Sequence, residues 1–570
     1  MRYFLIAIIL LAAVTAGLLL GNPGEEKTDV ESIYTFDEAA QFNRNENWAE
    51  ANKAYQYLLA QNPYHGNFWV QAGWVQYNLK DYDAAVVSFK KAIELGHSEP
   101  SSLYNIACIL SLQDKPEEAV EWLQKAIRKG FVLRNSLDTD SDLANIKNNP
   151  DVLRKLQPIV TANTPRVEGW RADVAFLSQR MQLAHYDVFG VVSKPDWEAA
   201  VNRLQRNIPD MQDHEIIVEM MKLVTLVGDG HTGLWPPAGG KQGFHQIPVQ
   251  MYWFKDGMFI RSAAPDYKSA VGAKVLKIGD TPIMDAIEKV TPLIHRDNDM
   301  GIKSRAPRYL GTAEVLHALR ISPNANEITL QIEKDGQKNQ VAFSTIPLQF
   351  GNHGRPGWVS MNDDSNIPKP LWQKKPGEIS WFEYLPEHKL VYFQHNQIRN
   401  SPGETVAQFS KRLRKFIEEN EVEALVIDIR RNGGGNNFLN RPLLYELIRC
   451  EKIYEQGKLF AIIIGRVTFS AAMNLTADLE QHTPAIFVGE PSGSRPNFIG
   501  ETNIFTLPYS GLRISASNRY WQRTFSHDYR TWIAPDIIAE MTSDDFKNNI
   551  DPAMEAILRY LKRKQDGKAL

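Results

Sequence analysis

Apolar positions along this chain change their period several times, and each change marks a different kind of element. Between about Thr35 and Pro158 they recur at helical spacing, and the pattern itself repeats. Ala51, Ala85 and Ala119 stand 34 residues apart, as do Tyr55, Phe89 and Leu123, and again Leu58, Ala92 and Ala126. Small residues at one position and large ones four later, with Trp69, Ala72 and Gly73 in the preceding helix, let paired helices approach closely. From Trp170 to Leu226 the helical period continues but breaks at Lys194-Pro195 and at Asn207 to Pro209, which predicts three short helices. From Gln246 to Leu348 it shortens to two, predicting strands at Ile247–Phe254, Met258–Ala263, Lys274–Ile278, Glu327–Lys334 and Gln340–Thr345. From Trp372 to Leu570 strands alternate with helices. The strands are expected at Leu390–His395, Ala424–Ile429, Leu459–Ile464 and Ala485–Gly489, the helices at Thr405–Glu419 and Ser470–Glu480.

The 34-residue period resembles the tetratricopeptide repeat over about three units, closed by the polar segment LDTDSDLANIKNNPDVLRKL. Such an array implies either a partner protein or peptide in its groove, or docking on another domain of the same chain. The stretch AVGAKVLKIGDTPIMD resembles a PDZ-like module, whose open sheet edge captures an extended chain end; a plain β insert fits the same pattern. The fold class is therefore multidomain α and α/β: repeats over 35–158, a helical cap over 167–235, the PDZ-like or β insert over 243–348, and an α/β core over 370–570.

At the start, MRYFLIAIILLAAVTAGLLL places Arg2 before an unbroken apolar run, so residues 1–22 are expected to be a signal peptide or a single membrane anchor. Either predicts an extracytoplasmic protein, periplasmic or secreted, touching the membrane only through this segment. The length of 570 residues exceeds one core, and a net charge of -3 gives no bias toward nucleic acid. Cys108 and Cys450 fall in different domains on apolar helical faces and are expected as two buried free thiols.

The candidate chemistry lies in the core. The run Ala424–Ile429 stops at Gly433 to Gly435, and the run Leu459–Ile464 stops at a turn presenting Ser470 at the head of a helix. A serine there sits where unpaired helix amides favour negative charge, and glycines let neighbouring amides approach a substrate oxygen. This is a layout for acyl transfer; each half alone also fits a loose turn and a helix N-cap. Upstream, Val227-Gly228-Asp229-Gly230-His231-Thr232 leaves an imidazole on a flexible corner, suited to a general base or to a structural role.

Asp229-Gly230-His231-Thr232, Asp428-Ile-Arg-Arg-Asn-Gly-Gly-Gly, Thr468-Phe-Ser-Ala-Ala, Gly489-Glu-Pro-Ser-Gly, Leu507-Pro-Tyr-Ser-Gly and Ala534-Pro-Asp536 follow one another in this order. The set resembles the C-terminal-processing (tail-specific) serine protease superfamily over about Trp170 to Leu570. The resemblance implies Ser470 as nucleophile and the amides of Gly433, Gly434 and Ala471 as oxyanion hole. The lysine base of the bacterial branch is missing, since none occurs between Ser470 and Lys547, and Arg495 cannot accept a proton. The pattern is closer to the tricorn-core-like branch, which implies His231 as base with an acid to orient it: Asp528 first, Glu490 second. Asp428 is expected to fix the glycine turn, and Asn497 to position substrate or cap a turn.

The expected function is an extracytoplasmic serine peptidase acting on a peptide or protein through an acyl-enzyme. No cofactor is implied, and no His, Cys and carboxylate set stands at a metal-binding spacing. Retinoid-binding relatives of the same family keep the fold without the chemistry, so a non-catalytic binding protein or scaffold is the alternative.

Overall fold

In a computed structural model of the chain, residues 33–129, 131, 140–147, 160, 164–240, 242–349, 356–363 and 365–566 are described. They divide into two compact units, Met1–Gln157 and Pro158–Leu570. The apolar segment Met1–Leu20 and most of the polar segment closing the repeats lie outside the described residues. Among the described residues no helix is long and apolar enough to cross a membrane.

The first unit is helical. Helices Phe36–Arg44, Trp48–Gln61, Gly66–Asn78, Tyr82–Glu94, Glu99–Leu112 and Pro116–Arg128 each pack on the next. The 34-residue period is the reason: Ala51, Ala85 and Ala119 are all fully buried, and their small side chains set the close approach. At Gly73 an added Cβ would stand 3.0 Å from the Phe89 ring, so the preceding helix needs glycine there. Asp81 caps one helix through the Ala84 amide, and Thr35 with Glu38 forms a reciprocal capping box on another.

In the second unit, helices Arg166–Ala184, Lys194–Asn207 and Asp213–Thr225 form the three-helix cap that the proline breaks predict. Pro195 occupies the first turn of its helix, behind the Ser193 cap. The following β region is an antiparallel sheet in the strand order Val359–Ser360, Gly257–Ala263, Lys274–Ile278, Glu327–Lys334, Gln337–Ser344, with Val249–Phe254 also paired to Gly257–Ala263. Cap and sheet were expected as separate domains, yet one continuous core joins them. It runs from Trp170 and Trp197 through Ile260 and Val275 to Phe505 and Ile514.

The α/β core is a six-stranded sheet in the order Ser380–Leu385, Leu390–His395, Ala424–Asp428, Leu459–Ile464, Ile486–Gly489, Ile537–Ile538. The first pair is antiparallel and the rest are parallel. Both faces are covered, which explains why its strands read as unbroken apolar runs. Leu425, Ile427, Phe460 and Ile462 face helices Val406–Glu419, Asn440–Arg449 and Ala471–His482, while Val426, Ala461 and Ile463 face helix Pro552–Gln565. The hairpin Phe498–Thr506 with Arg513–Trp521, absent from the sequence-based expectation, pairs with Gly233–Leu234. That pairing draws the Gly-Asp-Gly-His corner to the core.

Candidate active site

Ser470 follows the central strand Leu459–Ile464 and stands at the N-cap of helix Ala471–His482, with φ 57° and ψ −126°. A non-glycine residue at this positive φ is strained, and the surrounding turn holds it there. The Thr468 hydroxyl donates to the Ile429 carbonyl (3.0 Å) and accepts from the Gly465 amide (3.0 Å). The Phe469 amide donates to the Asn432 carbonyl (3.2 Å), and the Gly493 amide donates to the Thr468 carbonyl (3.0 Å). The Ser470 side chain is half-buried and makes no capping hydrogen bond.

The glycine turn lies against this serine. A Cβ on Gly434 would be 2.6 Å from the Ser470 Cβ and 2.9 Å from the Ala471 amide nitrogen. Gly434 also has φ 108°, so it answers both a conformational and a steric demand. Its own amide, however, donates to the Asn432 side-chain oxygen at 2.9 Å. Of the three expected oxyanion donors, Gly434 is therefore occupied, whereas the Gly433 and Ala471 amides donate to no group among the described residues. Asn432 anchors the turn by donating from Nδ2 to the His395 carbonyl (2.8 Å). Asp428, expected to fix the glycine turn, instead fixes the strand end just before it: it is buried and accepts from the Arg430 amide (3.1 Å) and the Tyr392 hydroxyl (2.6 Å).

His231 reaches the same place from the cap. Asp229 organises its corner by accepting from the amides of His231 (2.8 Å) and Thr232 (2.7 Å) and from the Ser517 hydroxyl (2.8 Å), with His185 Nε2 at 2.7 Å on its other oxygen. These bonds hold the Asp229 carboxyl at about 2, against the opposing effect of its burial. The imidazole lies between two rings, stacked on Phe469 (centroids 4.4 Å apart) and on Phe498 (5.3 Å). Both ring nitrogens are buried without a hydrogen-bond partner. Burial pushes its pKa below the usual histidine value, with Asp297 and then Asp229 acting in the opposite direction.

The two acids expected to orient His231 are engaged elsewhere. Asp528 accepts from Thr524 (2.8 Å) and from Arg530 Nε (2.9 Å) and Nη2 (2.8 Å), and Arg530 is also forked onto Glu480. Glu490 is held bidentately by the buried Arg466. A carboxylate paired with a guanidinium satisfies its charge locally, which is why neither turns toward the imidazole. Asn497 is likewise a loop clamp: its oxygen accepts from the amides of Arg523 (2.8 Å) and Thr524 (3.0 Å), and its nitrogen donates to the Phe525 carbonyl (3.0 Å). Both polar atoms of the Asn497 side chain thus hold the loop.

The acid that the structure brings to this corner is Asp297, which motif spacing did not single out. It is buried, accepts from the Gly230 amide (2.8 Å), and accepts from the Ser494 hydroxyl on its other oxygen. Beside it, His295 Nδ1 donates to the Gly230 carbonyl (2.6 Å), and burial drives its pKa down to about 3. The segment Leu293 to Asn298, between two helices of the β region, had no pattern from which such a role is legible.

Gly230, His231, His295, Phe469 and Gly433 to Gly435 are among the residues lining a cleft of about 1430 Å³. In the repeat unit, Cys108, Asp140 and Asp142 bring their donor atoms within 4.8 Å of one another, a grouping not visible as a spacing. The hydroxyls of Tyr104 and Tyr77 already donate to these two carboxylates, and Cys108 and Cys450 are both free and buried, as expected.

Residues 66–95 and 100–128 match the tetratricopeptide repeat model. No curated protein matches the chain in sequence. Among solved structures, mature CPAF complexed with lactacystin is 13% identical, with 70% of this chain and 99% of that one covered and a TM-score of 0.50. A serine-to-alanine mutant of CPAF is 12% identical, with 71% and 99% covered and a TM-score of 0.51.

The chain has the CPAF fold. The photosystem II D1 C-terminal processing protease also matches, at 12% identity over 69% of this chain and 97% of its own, with a TM-score of 0.33. The tetratricopeptide repeats expected from the 34-residue period hold, and the mixed helix and sheet architecture expected for the rest of the chain is that of CPAF. Identities this low speak for architecture, so the chemistry rests on the side chains themselves.

Proposed function

We propose that this protein is a serine peptidase in which Ser470 is the nucleophile and His231 its base. One observation carries the reading. A buried imidazole with two unpartnered nitrogens is stacked on Phe469, the residue next to a serine held at a strained, left-handed φ. Buried polar groups are ordinarily satisfied, so an unpartnered pair beside a cleft fits a group that acquires its partner with substrate.

In this reading His231 takes the Ser470 proton as Oγ attacks a peptide carbonyl. The Gly433 and Ala471 amides stabilise the tetrahedral oxyanion, His231 returns the proton to the leaving amine, and water activated by the same ring hydrolyses the acyl-enzyme. A neutral imidazole is needed at the start, and burial of His231 favours that form. The serine-to-alanine form of CPAF and its complex with lactacystin support a nucleophilic serine on this fold. We further propose an extracytoplasmic setting from the apolar Met1–Leu20 run, and a protein or peptide partner for the repeats.

Labelling with a fluorophosphonate probe tests the chemistry. Wild type is expected to label, and both Ser470→Ala and His231→Ala to lose it. Label retained by Ser470→Ala would remove the nucleophile, and an unchanged rate in His231→Ala would remove the base. A second reading, a ligand-binding relative without turnover, is favoured by one specific observation: no carboxylate hydrogen-bonds the His231 ring. A folded wild type that never labels would decide for it.

A further inference from the structure

Four of the cations lining the cleft are paired with an acid among the described residues. Arg466 and Lys303 share Glu490, Lys369 pairs with Asp363 (3.4 Å), and Arg430 is forked onto Asp551 (2.8 Å and 2.9 Å). Arg305 is not. Its guanidinium is half-buried over the Phe469 ring, 5.2 Å from the centroid, and its one hydrogen bond among the described residues runs from Nη1 to the His295 carbonyl (2.5 Å). Asp297 is near enough to act on it electrostatically but spends its oxygens on Gly230 and Ser494, and forms no ion pair with it. None of the remaining Arg305 nitrogens is among the buried atoms without a partner, so they have accessible surface at the cleft. Arg261, farther along the same lining, is a second guanidinium without an acid, bonded to Gln250 and set over Tyr252 and Phe546.

A half-buried guanidinium without a counter-ion is an incomplete site, because its desolvation is offset only when an anion arrives. Phe469 is in contact with Arg305 on one side and with His231 on another, and it precedes Ser470 in the chain. An anion at Arg305 is therefore within a residue or two of the reacting carbonyl. The cleft volume of about 1430 Å³ exceeds that of an ordinary small-molecule pocket and is enough for an extended peptide segment. We infer that Arg305 is a specificity residue that receives the side-chain carboxylate of a substrate Glu or Asp next to the cleaved bond. This rests on the peptidase reading of the site. Arg261 extends the same preference to a second acidic residue farther along the chain.

The test is direct binding to the Ser470→Ala protein, followed by fluorescence anisotropy. The probes are acetylated, amidated peptides of one sequence carrying a single Glu or a single Gln at successive positions, and one neutral peptide with a free C-terminal carboxylate. At one position or more the Glu peptide is expected to bind about tenfold tighter than its Gln partner, the ratio that a hydrogen bond to a charged group ordinarily gives. The advantage should shrink with added salt. In Arg305→Gln the two peptides should bind alike, and Arg305→Lys should keep part of the difference. Equal binding of every Glu/Gln pair, no binding of any Glu peptide, or an advantage confined to the free chain end would each overturn the inference. So would a Glu preference that persists in a folded Arg305→Gln. The Glu-to-Gln ratio in the Ser470→Ala protein requires no Arg305 variant to fold. Fluorophosphonate labelling of wild type reports separately on the peptidase reading, so a cleft that prefers Glu but never labels would locate the failure in the chemistry.

Discussion

Adding one methyl group to the glycine turn separates the steric role of that turn from its role as a donor. In Gly434→Ala the new Cβ would stand 2.6 Å from the Ser470 Cβ, 2.9 Å from the Ala471 nitrogen and 3.0 Å from the Phe469 oxygen. Carbons in contact prefer about 3.5–4.0 Å, so serine and turn must part by roughly 1 Å. A misplacement of that size costs about 100-fold in rate. The φ of 108° adds about 1–3 kcal/mol of backbone strain. Gly433→Ala is the control: nothing lies within 4 Å of its added Cβ, its φ is not left-handed, and its amide remains. Its expected stability change is within about 0.5 kcal/mol, and its labelling rate within a few-fold of wild type. Stopped-time fluorophosphonate labelling, with thermal melts of the same preparations, reads both quantities. Wild-type labelling by Gly434→Ala would refute the packing of this turn against the nucleophile, and an equal loss in Gly433→Ala would refute the steric account of it.

The labelling rate of wild type should fall on acidification with a midpoint below 6.5, because burial lowers the His231 pKa and only its neutral form accepts a proton; a midpoint at or above 6.5 contradicts the assignment. Asp528→Asn should lower the melting temperature, by leaving Arg530 with Glu480 alone, yet label Ser470 at close to the wild-type rate; a loss of labelling without a loss of stability would restore Asp528 as the acid. Acid should destabilise the second unit. His295 and His395 are buried with pKa values of about 3 and about 4, so they stay neutral in the fold while the unfolded chain protonates below about 6.5. Their stabilisation is complete above that pH. Between about 6.5 and 4 it declines by roughly 3 kcal/mol per pH unit for the two together, and Asp297, whose pKa burial raises, offsets part of it. Melts that stay level from pH 7 to pH 5 would contradict this.

Several elements were legible because their causes are local. The 34-residue spacing of small and large residues is enough to specify stacked helix pairs, and unbroken apolar runs such as Leu390–His395 and Leu459–Ile464 mark strands covered on both faces. Ser470 at a strand-to-helix turn and a glycine turn at Gly433 to Gly435 also follow from sequence, since both depend on backbone conformation over a few residues, whereas the close approach of Gly434 to Ser470 does not.

What joins those pieces was not legible. The hairpin Phe498–Thr506 with Arg513–Trp521 brings His231 to Phe469 by pairing with Gly233–Leu234, a contact across more than two hundred residues. Asp528 and Glu490 were plausible acids by position until their arginines were visible, and Asp297 had no motif to announce it. Charges and hydrogen-bonding groups act over a few ångströms, whatever their separation along the chain. The sequence by itself therefore determined which elements form and where the nucleophile turn lies. Only the tertiary structure decided which acids are already paired, which amides remain free, which imidazole lacks a hydrogen-bond partner and which guanidinium at the cleft lacks an acid.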